Sequence, residues 1–511
     1  MFYLLGMYAK VKAVTHLGLR VYEITVEVDI SSGLPSFTIV GLPDASVQEA
    51  KERVRAAIKN SGFDLPVRRI TVNLAPGEIK KEGTLFDLPI AIGILAASDQ
   101  IPKDSVVDYY FVGELSLEGE LRRISGGLPL SLFLKGKNFV IPEGNLVECS
   151  LSKETRLYHF KNLTEVVLFL RGEEQREPIV NRDIEFTDRE FDLDFSDVKG
   201  HKFLKRAMEI AAAGKHHIIM VGSPGSGKTM LSRRMPTIMP PLDYDDAVEI
   251  TKIYSIAGLL KDGEDIIKTR PFRAPHHTIS YAGLVGGGTI PKPGEISLAH
   301  KGILFLDELP EFRRDVLEVL RQPLEDGYIT ISRVRSSLEF PSDFLLVAAM
   351  NPCPCGYYGD PEKTCTCSIG EIKRYRRKVS GPLWDRFDIK LKVPRLTDTE
   401  IFEKKETESS EKIRERVKRV WEIQKERYAK ERIKFNGRLT PKLIKKYIPL
   451  TEEAERTLKN ALKSLKLTLR SMDKIVKLSR TIADLEGEEK VNTSHLLEAI
   501  SYQRYSLSDD I

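Results

Sequence analysis

Tryptophan and cysteine are scarce: the 511 residues include two Trp and five Cys. No stretch stays apolar for the roughly twenty residues a membrane span needs, and the opening "MFYLLGM" has neither a basic start nor a small-residue cleavage site. These absences exclude a membrane-spanning helix and a disulfide-stapled secreted scaffold, and they point to a cytoplasmic protein with reduced thiols. Charge excess is missing as well. With 79 Lys and Arg against 74 Asp and Glu, the net +5 selects no class of partner by itself. Internal repeats and low-complexity tracts are also lacking.

The length suits about three domains. From Tyr8 to about Leu170, alternating strands ("LRVYEITVEVDI") mix with helices read as amphipathic ("DASVQEAKERVRAAIKNSGF", "LFDLPIAIGILAAS"). A polar, aperiodic stretch follows, so the chain divides into a domain over 1–172, a linker over 173–193, a parallel-sheet domain over 194–396 and a helical remainder over 397–511. In the last part, Ile413, Val417, Val420 and Trp421 share one helix face. Lys412 to Lys446 carries fourteen Lys and Arg against four Glu, which reads either as a solvated helix face or as a nucleic-acid contact.

The segment "IIMVGSPGSGKT" is an apolar strand running into Gly222, Ser223, Pro224, Gly225, Ser226, Gly227, Lys228 and Thr229. This is the phosphate-binding loop in its strand–loop–helix setting. Its glycines let backbone N–H groups turn onto phosphate oxygens, Lys228 places a cation on the β/γ-phosphates, and the Thr229 hydroxyl ligates Mg²⁺. A second apolar strand, "GILFLDE", ends in Asp307 and Glu308, one carboxylate for the metal and one to deprotonate water. A third, "FLLVAAMN", delivers Asn351, whose amide can orient that water. The expected chemistry is ATP hydrolysis.

Four of the five cysteines, Cys353, Cys355, Cys365 and Cys367, form two C-x-C pairs around a turn-rich loop. Structural Zn²⁺ is the preferred reading, ahead of reduced thiols and of disulfides. Directly behind, "EIKRYRRKVSG" groups Lys373, Arg374, Arg376 and Arg377 around Tyr375, suiting DNA phosphates and base stacking. "YITISRVRSSLEF" alternates like a hairpin and brings Arg333 and Arg335 to its turn, either as DNA contacts or as solvated edge charges. His216–His217 and His276–His277 read as packing or hydrogen-bonding residues, because neighbours on a strand point apart.

These motifs resemble the AAA+ ATPases, with Asn351 similar to sensor 1 and "DFSDVKGH" similar to the adenine-side lead-in that contains Val198 and His201. The resemblance implies that Arg386 in "SGPLWDRFD" is an arginine finger and that Arg470 is the sensor 2 arginine of a helical lid. It also implies a homo-oligomeric ring, expected to be a hexamer. "RPFRAPHHTISYAGLVGGG" and the hairpin resemble the insertions of magnesium chelatase and minichromosome maintenance motors. Across Tyr8 to Tyr505 the chain resembles the ComM/YifB family of magnesium chelatase-like proteins.

What the resemblance implies is a multidomain α/β protein with an N-terminal Lon-protease-like α+β domain, a central AAA+ domain and a C-terminal helical lid. Its implied activity is DNA branch migration, as helicase or translocase, during recombination in natural transformation. The Lon likeness is tested by two positions. Leu85 stands where Lon has its nucleophilic serine, and Pro129 where it has its lysine base, so no peptidase is expected. Competing readings are a chelatase-type motor for metal insertion and a protein unfoldase. The first would need a partner with an Asp-x-Ser-x-Ser site, a motif this chain lacks; the second would need an aromatic-hydrophobic pore loop.

Overall fold

A computed structural model describes residues 7–81, 83–180, 191–260, 266–288, 291–333, 336–395, 407–464, 468–503 and 505. Its N-terminal part is a seven-stranded mixed sheet, ordered Ser36–Val40, Arg69–Ala75, Arg20–Ser31, Met7–Leu17, Tyr109–Phe111, Asn138–Pro142 and Arg156–Phe160. The long hairpin Met7–Leu17/Arg20–Ser31 is antiparallel, and the last three strands run parallel to its first arm. Helix Ala45–Asn60 starts where the Asp44 carboxylate accepts the Val47 N–H at 2.8 Å. Helix Asp87–Ala97 differs from the expected amphipathic form: every residue in it is buried. It lies over the hairpin with other elements closing its far side, so an all-round apolar helix is what the site requires. The buried Asp87 carboxyl is pushed up to about 6 by burial, against the pairing Arg53 guanidinium at 2.7 Å.

The central sheet has five strands in the order Phe272–Arg273, Ile303–Leu306, Leu345–Met350, Ile218–Gly222, Ile389–Val393, all parallel. Both faces are covered, so these strands read as unbroken apolar runs rather than alternating ones. Burial pushes His217 down to about 3, leaving a neutral ring whose Nδ1 accepts the Leu346 N–H at 3.1 Å. That bond, between the start of one central strand and its neighbour, pins their register.

The C-terminal helices Ser410–Arg427, Pro441–Tyr447, Glu452–Ser464, Leu469–Glu486 and Thr493–Ser501 share one core with a face of this sheet. Ile413, Val417 and Val420 are buried there, while Trp421 is half-buried and donates its indole N–H to the Ala212 carbonyl at 3.0 Å. Part of the basic tract is paired within the molecule, while Lys412, Lys418, Arg419, Lys425, Lys430 and Lys442 stay exposed. Arg416 pairs with Glu209 and Glu408, Arg427 with Asp484, Arg438 with Asp343, and Lys446 with Glu431. Each of these guanidinium and ammonium groups already has a carboxylate.

The N-terminal sheet rests on the central part at two places. Gly18, at the tip of the long hairpin with φ +59°, lies against the second hairpin, Tyr328–Arg333/Ser336–Pro341: a Cβ there would meet Leu338 Cδ1 at 3.3 Å. On the other side Gly126 N–H donates to the Ser255 carbonyl at 3.0 Å, and the Ser255 hydroxyl donates to the buried Glu148.

Candidate nucleotide site and four-thiol knuckle

The strand Ile218–Gly222 leads into a tight loop because Gly222 has no side chain. A Cβ there would sit 2.5 Å from the Val393 carbonyl and 2.9 Å from Ser226 Oγ. Gly227, at φ +85°, precedes helix Lys228–Arg234, and the His201 ring lies 3.4 Å from where its Cβ would be. His201 itself is nearly buried with φ +51°, and Val198 is fully buried three residues earlier. Of the two residues expected on the adenine side, His201 therefore lies beside the loop.

Lys228 is 8% exposed and its ammonium donates to the Gly222 carbonyl at 2.7 Å and the Ser223 carbonyl at 2.9 Å, with Ser226 Oγ at 3.4 Å and Asn351 Oδ1 at 3.5 Å. Burial pulls it down to about 8, opposed by the charges of Asp307 and Glu308. Thr229 donates its hydroxyl to Asp307 Oδ2 at 2.6 Å. The strand ending in Asp307 does not adjoin the loop strand. The strand ending in Asn351 lies between them, so Asn351 stands centrally and the Asp307 carboxylate reaches past it. Hydroxyl and carboxylate at this separation offer a hard divalent ion an oxygen pair, and Mg²⁺ fits them.

Glu308 has a left-handed backbone (φ +51°), a conformation costing a non-glycine residue roughly 1–2 kcal/mol. The turn aims its carboxylate at His277, whose Nδ1 lies 3.2 Å from Glu308 Oε2. The His276 and His277 rings lie 4.1 Å apart and are tilted by only 33°, so they do not point apart as strand geometry would have them. The reason is that they follow the two-residue strand Phe272–Arg273 and sit in a loop. Nothing in the local sequence marks His277 as a neighbour of Glu308; only the adjacency of the two strands does.

Arg386 is mostly buried and paired with Glu325. Arg470 is exposed at the start of helix Leu469–Glu486, and its charge is felt by Lys474 and Lys477. Lys474 donates to the carbonyls of Asp385 and Phe387, on either side of Arg386, so the two arginines belong to one region of the surface.

The four thiols converge. Their sulfur atoms all lie within 4.8 Å of one another, with Cys353–Cys355 at 3.3 Å, Cys355–Cys365 at 3.5 Å and Cys353–Cys365 at 3.6 Å. These separations are far beyond a disulfide bond and close to the edge of a tetrahedron of sulfurs about 2.3 Å from a central ion. The backbone N–H of Cys355 points at Cys367 Sγ (3.4 Å) and that of Tyr358 at Cys353 Sγ (3.3 Å), as outer-shell donors to metal-bound thiolates do. Cys149 is buried elsewhere.

In the helix Ile369–Arg376 the proposed DNA contacts divide. Lys373, Arg374 and Arg377 are exposed. Arg376 is not: at 3% exposure it donates from Nε to the Pro352 carbonyl at 3.0 Å and lies over the Tyr358 ring. Its place is under the knuckle. Tyr375 is buried at 5%, which removes it as a stacking platform for bases. Both follow from helix periodicity, because 372, 375 and 376 form the inward stripe. The backbone of Arg333 is in the second hairpin; Arg335 lies outside the described residues. Leu85 and Pro129 are both buried. Among the described residues no helix is long and apolar enough to cross a membrane.

Family models match three segments of the chain. That of magnesium chelatase subunit ChlI matches residues 194–401, one for subunit ChlI of Mg-chelatase matches 26–145, and one for the ChlI C-terminal part matches 407–503. Competence protein ComM of Haemophilus influenzae is 44% identical over 495 residues, covering 95% of this chain and 96% of that protein. The uncharacterized protein YifB of Escherichia coli is 41% identical, covering 95% of each. Magnesium-chelatase subunit ChlI of Euglena gracilis is 24% identical over 40% of this chain and 62% of its own length.

Proposed function

The chain belongs to the ComM/YifB family of magnesium chelatase-like AAA+ proteins, and from that premise we propose that it is an ATP-hydrolysing motor that moves branched or single-stranded DNA. One observation carries the reading. Lys228, Thr229, Asp307 and Asn351 converge within a single copy, while Arg386 and Arg470 are grouped elsewhere. A hydrolytic site of this type needs a cation at the γ-phosphate opposite the lysine. A second copy supplies it if protomers pack head to tail, and such packing closes into a ring, for which six members is our reading.

Within that site Lys228 leaves the Gly222 and Ser223 carbonyls for the β/γ-phosphate oxygens. Mg²⁺, when bound at Thr229 and Asp307, supplies charge neutralisation at those oxygens. Glu308 takes a proton from water as the water oxygen bonds to the γ-phosphorus. The bond from phosphorus to the bridging oxygen breaks, leaving ADP and phosphate, and the Asn351 amide orients the water. Arg386 stabilises the charge that develops, and Arg470 couples the helical region to it.

Lys373, Arg374 and Arg377, with Arg333 and Arg335 of the hairpin, are the cations we assign to DNA phosphates. The N-terminal domain is read as a Lon-like fold without peptidase chemistry, given Leu85 and Pro129, serving assembly or DNA handling. Zn²⁺ at the four cysteines is read as structural, because four soft thiolates in tetrahedral reach suit that ion best. The name of the Haemophilus relative supports a role in competence, where incoming DNA is recombined.

The chelatase-type reading is favoured by the three ChlI models. It predicts ATPase activity indifferent to DNA. The deciding experiment is ATPase stimulation by single-stranded and forked DNA, and unwinding of a three-stranded substrate, by wild type beside Lys228→Ala and Glu308→Gln. Turnover unchanged by DNA, with no salt-sensitive DNA binding, refutes the motor reading.

A further inference from the structure

The four-thiol knuckle is tied to the nucleotide site in two ways. Through the chain, Cys353 is two residues from Asn351, and the buried Arg376 holds the Pro352 carbonyl between them. By contact, Gly356, next to Cys355 and at φ +88°, lies against the loop's proline: a Cβ there would be 2.7 Å from Pro224 Cδ and 2.8 Å from Cγ. Asp360, whose Oδ1 accepts the N–H groups of Glu362 and Lys363 at 2.9 and 3.0 Å, faces the same cavity as Ser223. A cavity of about 260 Å³ remains between the two loops, lined by Gly222, Ser223, Tyr358, Asp360 and Arg395 among others.

The compact arrangement of the knuckle has an electrostatic condition. Three of the sulfurs lie 3.3–3.6 Å apart and all four within 4.8 Å, so as thiolates they repel one another unless a cation sits among them. Gly356 and Asp360 belong to the segment between the two cysteine pairs, so whatever holds the pairs together sets where those residues stand against Pro224 and Ser223.

We propose that the knuckle is a metal-dependent brace of the nucleotide site: with Zn²⁺ on Cys353, Cys355, Cys365 and Cys367 the phosphate-binding loop keeps its nucleotide-ready shape, and without the ion it loses it. The inference rests on the ATPase reading and on zinc as the ion. Gly356 and Asp360 are positioning residues acting through the loop.

The test uses the full chain. Elemental analysis gives zinc per chain, and a fluorescent ATP analogue with excess Mg²⁺ gives nucleotide affinity before chelation, after it, and after Zn²⁺ is returned. One zinc per chain is expected, with affinity falling by roughly tenfold or more on its removal and recovering with Zn²⁺. Because chelation can also unfold the protein, Gly356→Ala is the second probe. It is expected to retain zinc and the far-ultraviolet circular dichroism of the wild type while binding nucleotide at least several-fold more weakly. Equal nucleotide affinity with and without zinc, or Gly356→Ala binding nucleotide like wild type, overturns the brace and leaves the ATPase reading standing. A chain that takes up no zinc overturns the brace as well. No nucleotide binding in either metal state overturns both readings.

Discussion

Raising the pH is expected to weaken nucleotide binding through one side chain, Lys228. In the free protein burial brings its ammonium down to about 8, although Asp307 and Glu308 oppose the fall. The phosphates of a bound nucleotide favour the charged form, so binding carries a proton with it once the pH exceeds that value. The sign follows directly. Below about pH 8 the ammonium is already present and affinity is flat; above it, each further unit leaves about one tenth as many charged sites, which costs about 1.4 kcal/mol, or tenfold in Kd. The decline continues until the pH reaches the higher pKa of the bound state. Titration of a fluorescent ATP analogue into Glu308→Gln protein, where turnover is suppressed, measures the slope between about pH 7 and 9.5. Lys228→Arg is the control, because a guanidinium keeps its charge past pH 12 and its weaker binding stays flat over the same range. A flat profile in the Glu308→Gln protein that keeps Lys228, or a decline of the same steepness once Lys228→Arg is added to it, refutes the reasoning, provided circular dichroism shows both proteins folded at the alkaline end.

Other outcomes follow from the same geometry. Arg386→Ala should bind nucleotide normally and lose about 10³-fold or more in turnover, and mixing it with Lys228→Ala protein should restore part of the ATPase activity, because each variant supplies what the other lacks. Unchanged turnover in Arg386→Ala alone refutes assembly through that residue. Lys373→Ala and Arg374→Ala should each lower the slope of log affinity for DNA against log salt by about one, whereas Arg376→Ala, which loses its hold on Pro352, should lower the melting temperature and zinc content instead. His277→Ala should raise DNA-independent ATPase activity several-fold with nucleotide affinity unchanged, because it frees the Glu308 carboxylate; a steady-state assay beside nucleotide titration separates the two effects.

Some of this chemistry is local and could be read without coordinates. The phosphate-binding loop is contiguous, and its glycines, lysine and threonine act on one another within a single turn of chain, so the pattern alone specified the cradle. The same holds for the two C-x-C pairs, whose turn-rich spacer brings the sulfurs together by short-range closure. Apolar runs announced the buried parallel strands, and the change in texture near residue 190 separated the domains in the reading from sequence. The terminal carboxylates and amide of those strands were legible as chemistry, but their arrangement was not. Lys228 and Asn351 are 123 residues apart, and only the strand order puts one beside the other and inserts the Asn351 strand between the loop and Asp307.

Charge was the least legible property. Arg376 and its exposed neighbours look alike in sequence, and only packing decides that one stays inside to hold a carbonyl. Arg416, Arg427 and Arg438 read as free basic residues until the fold brings Glu209, Asp484 and Asp343 to them. His277 met Glu308 in the same way, across two adjacent strands. The division has a physical cause. A backbone cradle or a short ligand loop is closed by residues a few positions apart, at little entropic cost and with few alternatives. A contact between distant side chains exists only after sheet order and helix packing have chosen which of many possible neighbours share a space, and that choice is made collectively by the core.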